Sequence, residues 1–244
     1  MSKECEETLE ALKALRDPEK VEGMTRYGIS KEGTLGVSMP VLKEMAKRIG
    51  KRHGLAIELW TSGVHEARIL AALVAEPSRV DRELMEAWVL DIDSWDVCDQ
   101  VCSYLFSRTR LAYEVIADWT CREEEFVRRA GFVMIAVLAV HDKKAGDETF
   151  LGFFPLIERR AGDDRNYVKK AINWAIRQIG KRNLRLREEC MILARRIQAQ
   201  GSPSAKWIAS DALRELSSTE VKRRLEARSG SVANRDAERR EAIS

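Results

Sequence analysis

Four side chains in three separate stretches carry the chemistry of this sequence: Trp95 and Asp99 in SWDVCDQVC, Arg129 in EFVRRAGFV, and Trp174 in YVKKAINWAIRQIGKRN. On a helix of about 3.6 residues per turn, an aromatic ring and a carboxylate four positions apart share one face. An arginine and a second indole, each on its own helix, can meet that pair across a groove. Two aromatic rings, one acid and one base suit a cationic ligand that carries phosphate. Asp99 stands among Val97, Cys98, Val101 and Cys102. An acid in such a place has a partner or a function, and a structural pairing with a nearby arginine is one of the two readings. Asp96 differs. It falls in the first helical turn, where the dipole favours a carboxylate, and Asp93 or Ser94 can cap that helix.

Trp174 has Lys170 and Arg177 within a turn on either side. Such a bracket would set a phosphate clamp beside an aromatic platform, although a core tryptophan with snorkelling neighbours gives the same pattern. Arg128 and Arg129 point about 100° apart, and Phe126, Ala130 and Val133 put Arg129 on the inward side. Trp60, Trp88, Trp119 and Trp207 fit apolar stripes and are expected in the core. His141 closes a helix, where a cation is favoured in any case. No glycine-rich phosphate loop, nucleophile elbow or metal-ligand cluster is present, and neither a metal nor a cofactor is expected.

The elements that hold these residues read as all-α, with no convincing alternating strand. Helices are expected at 3–16, 40–50, 53–61, 64–75, 79–90, 93–107, 110–119, 122–141, 147–161, 165–180, 184–199 and 203–216, with 28–40 the longest irregular stretch. Short helices on short loops predict antiparallel pairs stacked as a right-handed α-solenoid. HEARILAALV, FVRRAGFVMIAVL, VKKAINWAIRQIG and AKWIASDALREL each begin near a basic residue and continue small and apolar. Arg128 and Lys169 are 41 residues apart, and Lys169 and Lys206 are 37 apart, near the period of HEAT-type helix pairs. The recurring base predicts a positive ladder of Arg68, Arg129, Lys170 and Lys206 along a concave groove able to follow a phosphate backbone. Solvated bases paired with local acids are the alternative. One repeat domain is expected over 1–217, followed at 218–244 by a short helix and a flexible tail, with too few apolar residues in 230–244 to dock.

Composition narrows the partner. Lys+Arg 42 against Asp+Glu 39 leaves a net charge of only +3 in 244 residues, so nucleic-acid binding requires positive charge gathered on one face. The five cysteines sit mostly in apolar helical patterns and read as small buried hydrophobes in a reducing compartment. The charged start MSKECEETLEALKALRD lacks an apolar signal region, and no apolar run nears the ~20 residues that span a bilayer. The expectation is a soluble cytoplasmic protein, nucleoid-associated, with no membrane partner.

The stretches GVSMPVLKEMAKRIG, LWTSGVHEARILA, DSWDVCDQVC, EFVRRAGF, LAVHDKKAGDETF, RNYVKKAINWAIRQIGKRN and AKWIASDALREL together resemble the DNA alkylation repair family, the HEAT-like-repeat alkylpurine DNA glycosylases. The resemblance runs from about Met24 to Leu216. It implies an active groove in which Trp95, Asp99, Arg129 and Trp174 match the family's tryptophan, aspartate, arginine and second tryptophan. It also implies a monomer acting on double-stranded DNA with alkylated bases, where Asp99 stabilises the sugar cation, Trp95 and Trp174 pack on the lesion nucleotide, and Arg129 holds a phosphate. Lys170, Arg177, Arg68 and Lys206 would contact flanking DNA. A shallow groove would recognise the cationic lesion and backbone more than base edges. A non-catalytic protein for damaged or branched DNA and a protein-interaction scaffold are the competing readings.

Overall fold

The structure, a computed structural model, describes residues 1–229; the expected tail at 230–244 lies outside them. Among the described residues every regular element is a helix, and none is long and apolar enough to cross a membrane. The chain divides into two compact units, one ending at Met134 and the other beginning at Ile135.

The first unit holds α1 (Lys3–Ala14), α2 (Pro18–Thr25), α3 (Met39–Ile49), α4 (His53–Thr61), α5 (His65–Val74), α6 (Arg82–Leu90), α7 (Trp95–Tyr104), α8 (Ile116–Trp119) and the start of α9 (Glu125–His141). Helix α5 is its centre and packs on α1, α3, α4 and α7. Ala67, Ala71 and Ala72 are fully buried there, so neighbouring helices approach closely. Trp60 and Trp88 stack with centroids 4.2 Å apart. Their burial, and that of Trp119, meets the expectation of core tryptophans.

An acid inside α5 organises the irregular stretch. Glu66 is 1% exposed, and its carboxylate accepts from the backbone N–H groups of Leu35, Gly36 and Val37 at 2.8, 2.6 and 3.2 Å. A buried carboxylate needs such donors. Gly36 has φ 81°, and a Cβ there would lie 2.4 Å from the Asp17 carbonyl oxygen, so only glycine closes this loop.

The second unit continues with α10 (Asp147–Leu151), α11 (Phe154–Arg160), α12 (Asn166–Gly180), α13 (Leu184–Ala199), α14 (Pro203–Leu216) and a helical stretch at 219–229. Helices α12, α13 and α14 pack on one another, and Asn173 Nδ2 donates to the Ile208 carbonyl at 3.1 Å. Asn183 caps α13 and Ser202 caps α14.

The structure departs from the expected elements in particular places. Helix α2 is unanticipated: Asp17 caps it and Pro18 opens it, but it buries only Val21 and shows little periodicity. The expected helix 147–161 breaks at Gly152–Phe153, because Pro155 in the first turn of α11 has no N–H to continue the ladder. Turns occupy most of 110–119. Trp207 is 40% exposed rather than buried, with the Lys169 ammonium 5.6 Å from its ring centroid.

Gly131 sets how closely α9 meets the end of α8. A Cβ there would come 2.8 Å from both the Thr120 backbone nitrogen and its Cγ2. Gly131→Ala is expected to destabilise by about 1–3 kcal/mol through overpacking, although alanine is the better helix former by about 1 kcal/mol. A thermal melt tests the balance; an unchanged or raised midpoint would refute the close-approach argument.

Candidate active site

Helix α7 begins at Trp95, after Ser94 as its N-cap residue. The Ser94 hydroxyl makes no cap bond; Asp96 Oδ1 instead accepts from the Val97 N–H at 2.9 Å. The Trp95 indole is held from outside its helix, since Nε1 donates to the Tyr27 carbonyl oxygen at 3.0 Å. That bond fixes the ring at the mouth of α7 while leaving it partly exposed.

One turn on, Asp99 meets Arg129 of α9. Asp99 Oδ1 accepts from Arg129 Nε at 3.1 Å and from Nη2 at 2.8 Å, and Oδ2 accepts from Nη2 at 2.9 Å. The side chains are 18% and 6% exposed. Burial pushes the Asp99 carboxyl up to about 6, and the Arg129 charge pulls the other way. Burial works against the Arg129 charge too, but the Asp99 carboxylate outweighs it and raises the guanidinium pKa. At neutral pH this is a largely buried ion pair. Arg128, the adjacent residue, turns instead to Glu123 at 2.9 Å and the Cys121 carbonyl oxygen at 3.4 Å. Cys98 and Cys102 are fully buried behind Asp99, each near a carbonyl of α9 at 3.9 Å.

A second acid of α7, Asp96, has more than the dipole role its position predicts. Its Oδ2 lies 2.8 Å from His65 Nε2, both side chains being largely buried. Burial lowers the His65 pKa, but the Asp96 hydrogen bond and charge outweigh it, with Glu66 and Asp93 adding to the rise. A cavity of about 600 Å³ opens here, walled by Met24, Tyr27, Met39 and Ile69, with His65, Glu66 and Asp96 at its polar side. Sequence reasoning missed His65; its spacing of 31 residues from Asp96 carries no local signal.

The remaining candidates divide. Arg68 is 15% exposed and turned inward, bonding the Asp91 carbonyl at 3.1 Å and Asp93 at 3.3 Å, with its guanidinium over Trp60. Arg177 engages Asn173, Asp211 and Glu215. Lys170 and Lys206 are exposed. Trp174, in the second unit, is partly exposed, and its Nε1 donates to Gln178 Oε1 at 2.8 Å with the amide turned to face it.

A family model described as DNA alkylation repair enzyme matches residues 8–220. The chain belongs to this family. No curated protein matches it significantly. Among solved structures, one described as a new family of proteins related to the HEAT-like repeat DNA glycosylases with affinity for branched DNA structures is similar in fold. The TM-score is 0.72 at 18% identity, over 86% of this chain and 94% of that one. The all-helical, HEAT-like reading of this alkylation repair family member therefore holds.

The His65–Asp96 pair gives a pH signature. The folded chain keeps the His65 proton to a higher pH than the unfolded chain, whose value is about 6.5. The pair's stabilisation is then full below that pH and fades as pH rises through the folded value. His65→Gln is expected to cost most stability near about pH 6 and least near about pH 9. Denaturant melts at both values check this, and equal losses would count against the pairing.

Proposed function

We propose that this chain is a DNA N-glycosylase that releases cationic N3- or N7-alkylated purines from duplex DNA. The observation that carries the reading is the Asp99–Arg129 ion pair, one turn from Trp95, in which the Asp99 side chain keeps 18% of its surface exposed. Alkylation at these positions makes the purine cationic and a good leaving group, so the chemical demand falls on the sugar. As the glycosidic bond breaks, C1′ and the ring oxygen develop oxocarbenium charge. A fixed carboxylate beside them stabilises that charge and orients the attacking water.

Asp99 fits the role because it is ionised at neutral pH and already held in place. Each carboxylate oxygen has two acceptor sites, and Oδ2 accepts only Arg129 Nη2 among the described residues, which leaves capacity for a water or a sugar cation. In this reading Arg129 orients and charges Asp99, a duty that competes with the phosphate contact expected of it. Trp95 offers a π face to positive charge. The resemblance gives Trp174 the same role. The cavity beside Asp96 is lined by neither Asp99 nor Trp95, and its carboxylates are already engaged, Glu66 by three backbone N–H groups and Asp96 by His65, so the base is not assigned to it. Of the DNA-contact candidates, Lys170 and Lys206 fit best, being exposed, whereas Arg68 and Arg177 are engaged within the fold.

A second reading is a DNA-binding relative without catalysis. It is favoured by the fold neighbour, which is described as having affinity for branched DNA. Release of methylated purines from treated DNA separates the two. Asp99→Asn is expected to abolish release while leaving DNA affinity within a few-fold; release at the wild-type rate would sink the assignment. The pH profile supplies a further check. Release should fall about tenfold per unit below the Asp99 value of about 6. Arg129→Gln removes the opposing cation and should move that acid limb upward by about one unit or more. A limb that stays in place would mean that Asp99 is not the titrating group.

A further inference from the structure

We propose that a cavity in the second unit, between the ends of α9 and α12 and the helical stretch 219–229, is a binding site for a backbone phosphate of the DNA. It encloses about 560 Å³ and is lined by Lys143, Lys181, Arg182, Arg224 and Arg228 against a single carboxylate, Asp147. In a chain of net charge +3, five cations around one acid among the described residues is a local concentration that favours an anion.

The partners already present account for only part of it. Arg182 donates to the carbonyl oxygens of Ala139, Asp142 and Ala145 at 2.7, 2.9 and 2.8 Å, and lies over Phe150. Lys181 pairs with Glu215 at 2.8 Å. Asp147 accepts from Asn183 at 2.7 Å and faces Arg185. Lys143, Arg224 and Arg228 make no ion pair with any described residue. Their placement is not incidental. Val221 and Leu225 are buried and dock the last helical stretch, which leaves Arg224 and Arg228, four apart, on one exposed side above the cavity. The Lys143 pKa is lowered, first by burial and then by the charges of Arg182 and Arg228. Lys143, Arg182 and Arg228 are thus held close, and among the described residues no carboxylate forms an ion pair with Lys143 or Arg228. Two guanidinium forks and an ammonium suit the tetrahedral oxygens of a phosphate.

The cavity is also tied to Trp174. With its amide turned, Gln178 Oε1 accepts from Trp174 Nε1 at 2.8 Å and from Lys181 Nζ at 3.2 Å, along one face of α12. Seven residues of helix rise about 10 Å, or about three steps of a DNA strand at 3.4 Å each. The phosphate bound here would lie a few nucleotides from any nucleotide packed on Trp174. The assignment rests on DNA as the partner and not on base release.

The test is the affinity of the full chain for an unmodified labelled duplex across about 50–200 mM salt, so a protein that releases no base still answers it. Arg224→Ala with Arg228→Ala is expected to weaken binding about tenfold or more at the low-salt end. The slope of log K against log salt should flatten by about one, since each phosphate contact contributes about 0.9. Arg224→Lys with Arg228→Lys, which keeps both charges, should keep most of the slope. An unchanged slope and affinity in the alanine variant, with its circular dichroism intact, overturns the proposal. Titration with inorganic phosphate at constant ionic strength separates the sources. Phosphate binding that the alanine variant loses while its DNA slope stays unchanged would assign the site to a free phosphate anion and overturn the DNA assignment.

Discussion

The bidentate contact between Asp99 and Arg129 is the constraint on which the site depends. An arginine 5% exposed is tolerated only beside an anion, and a carboxylate in that place only beside a cation. Each residue therefore accounts for the other, and together they lock α7 to α9. The net stability of such a pair is small against an apolar alternative. What it confers is direction and charge. The fork holds the carboxylate plane, and it limits the rise that burial causes, so the carboxyl titrates near 6 and is ionised at neutral pH. Trp95 needs a different anchor, the Tyr27 carbonyl, so the chemistry-bearing face of α7 is secured both from α9 and from the loop after α2.

A second pattern explains where the charges of this charge-rich chain go. Short helices leave many carbonyl groups unsatisfied at their ends. Arginines close them: Arg68 at the Asp91 carbonyl, Arg128 at Cys121, Arg182 at three carbonyls following and ending α9, and Arg187 at Leu216. Glu66 does the reverse job for three N–H groups. Much of the recurring positive charge thus stitches the fold. Lys170, Lys206, Lys143, Arg224 and Arg228 carry no such task among the described residues and are free to face a polyanion.

The helical character of the chain and most helix limits were legible because apolar periodicity and breakers are local. The breaks at Gly152–Phe153 and before α8, and the extra helix α2, were less legible, since Asp17–Pro18 and Pro155 act over one turn without a long apolar stripe. Trp207 shows the limit of periodicity: its spacing fits a stripe, but the packing of α14 leaves it 40% exposed.

In the site, the sequence by itself determined that Trp95 and Asp99 share a face, because helix geometry links residues four apart. It also marked Asp99 as an acid in need of a partner. Which arginine answers, and whether it holds a phosphate or a carboxylate, was decided only by tertiary packing, which turns Arg129 to Asp99 and Arg128 to Glu123. The same holds for His65 with Asp96, 31 residues apart, and for the arginines committed to carbonyls. Local spacing encodes which side chains face the same way on one helix. Only the folded chain brings the second helix that decides what each of them meets.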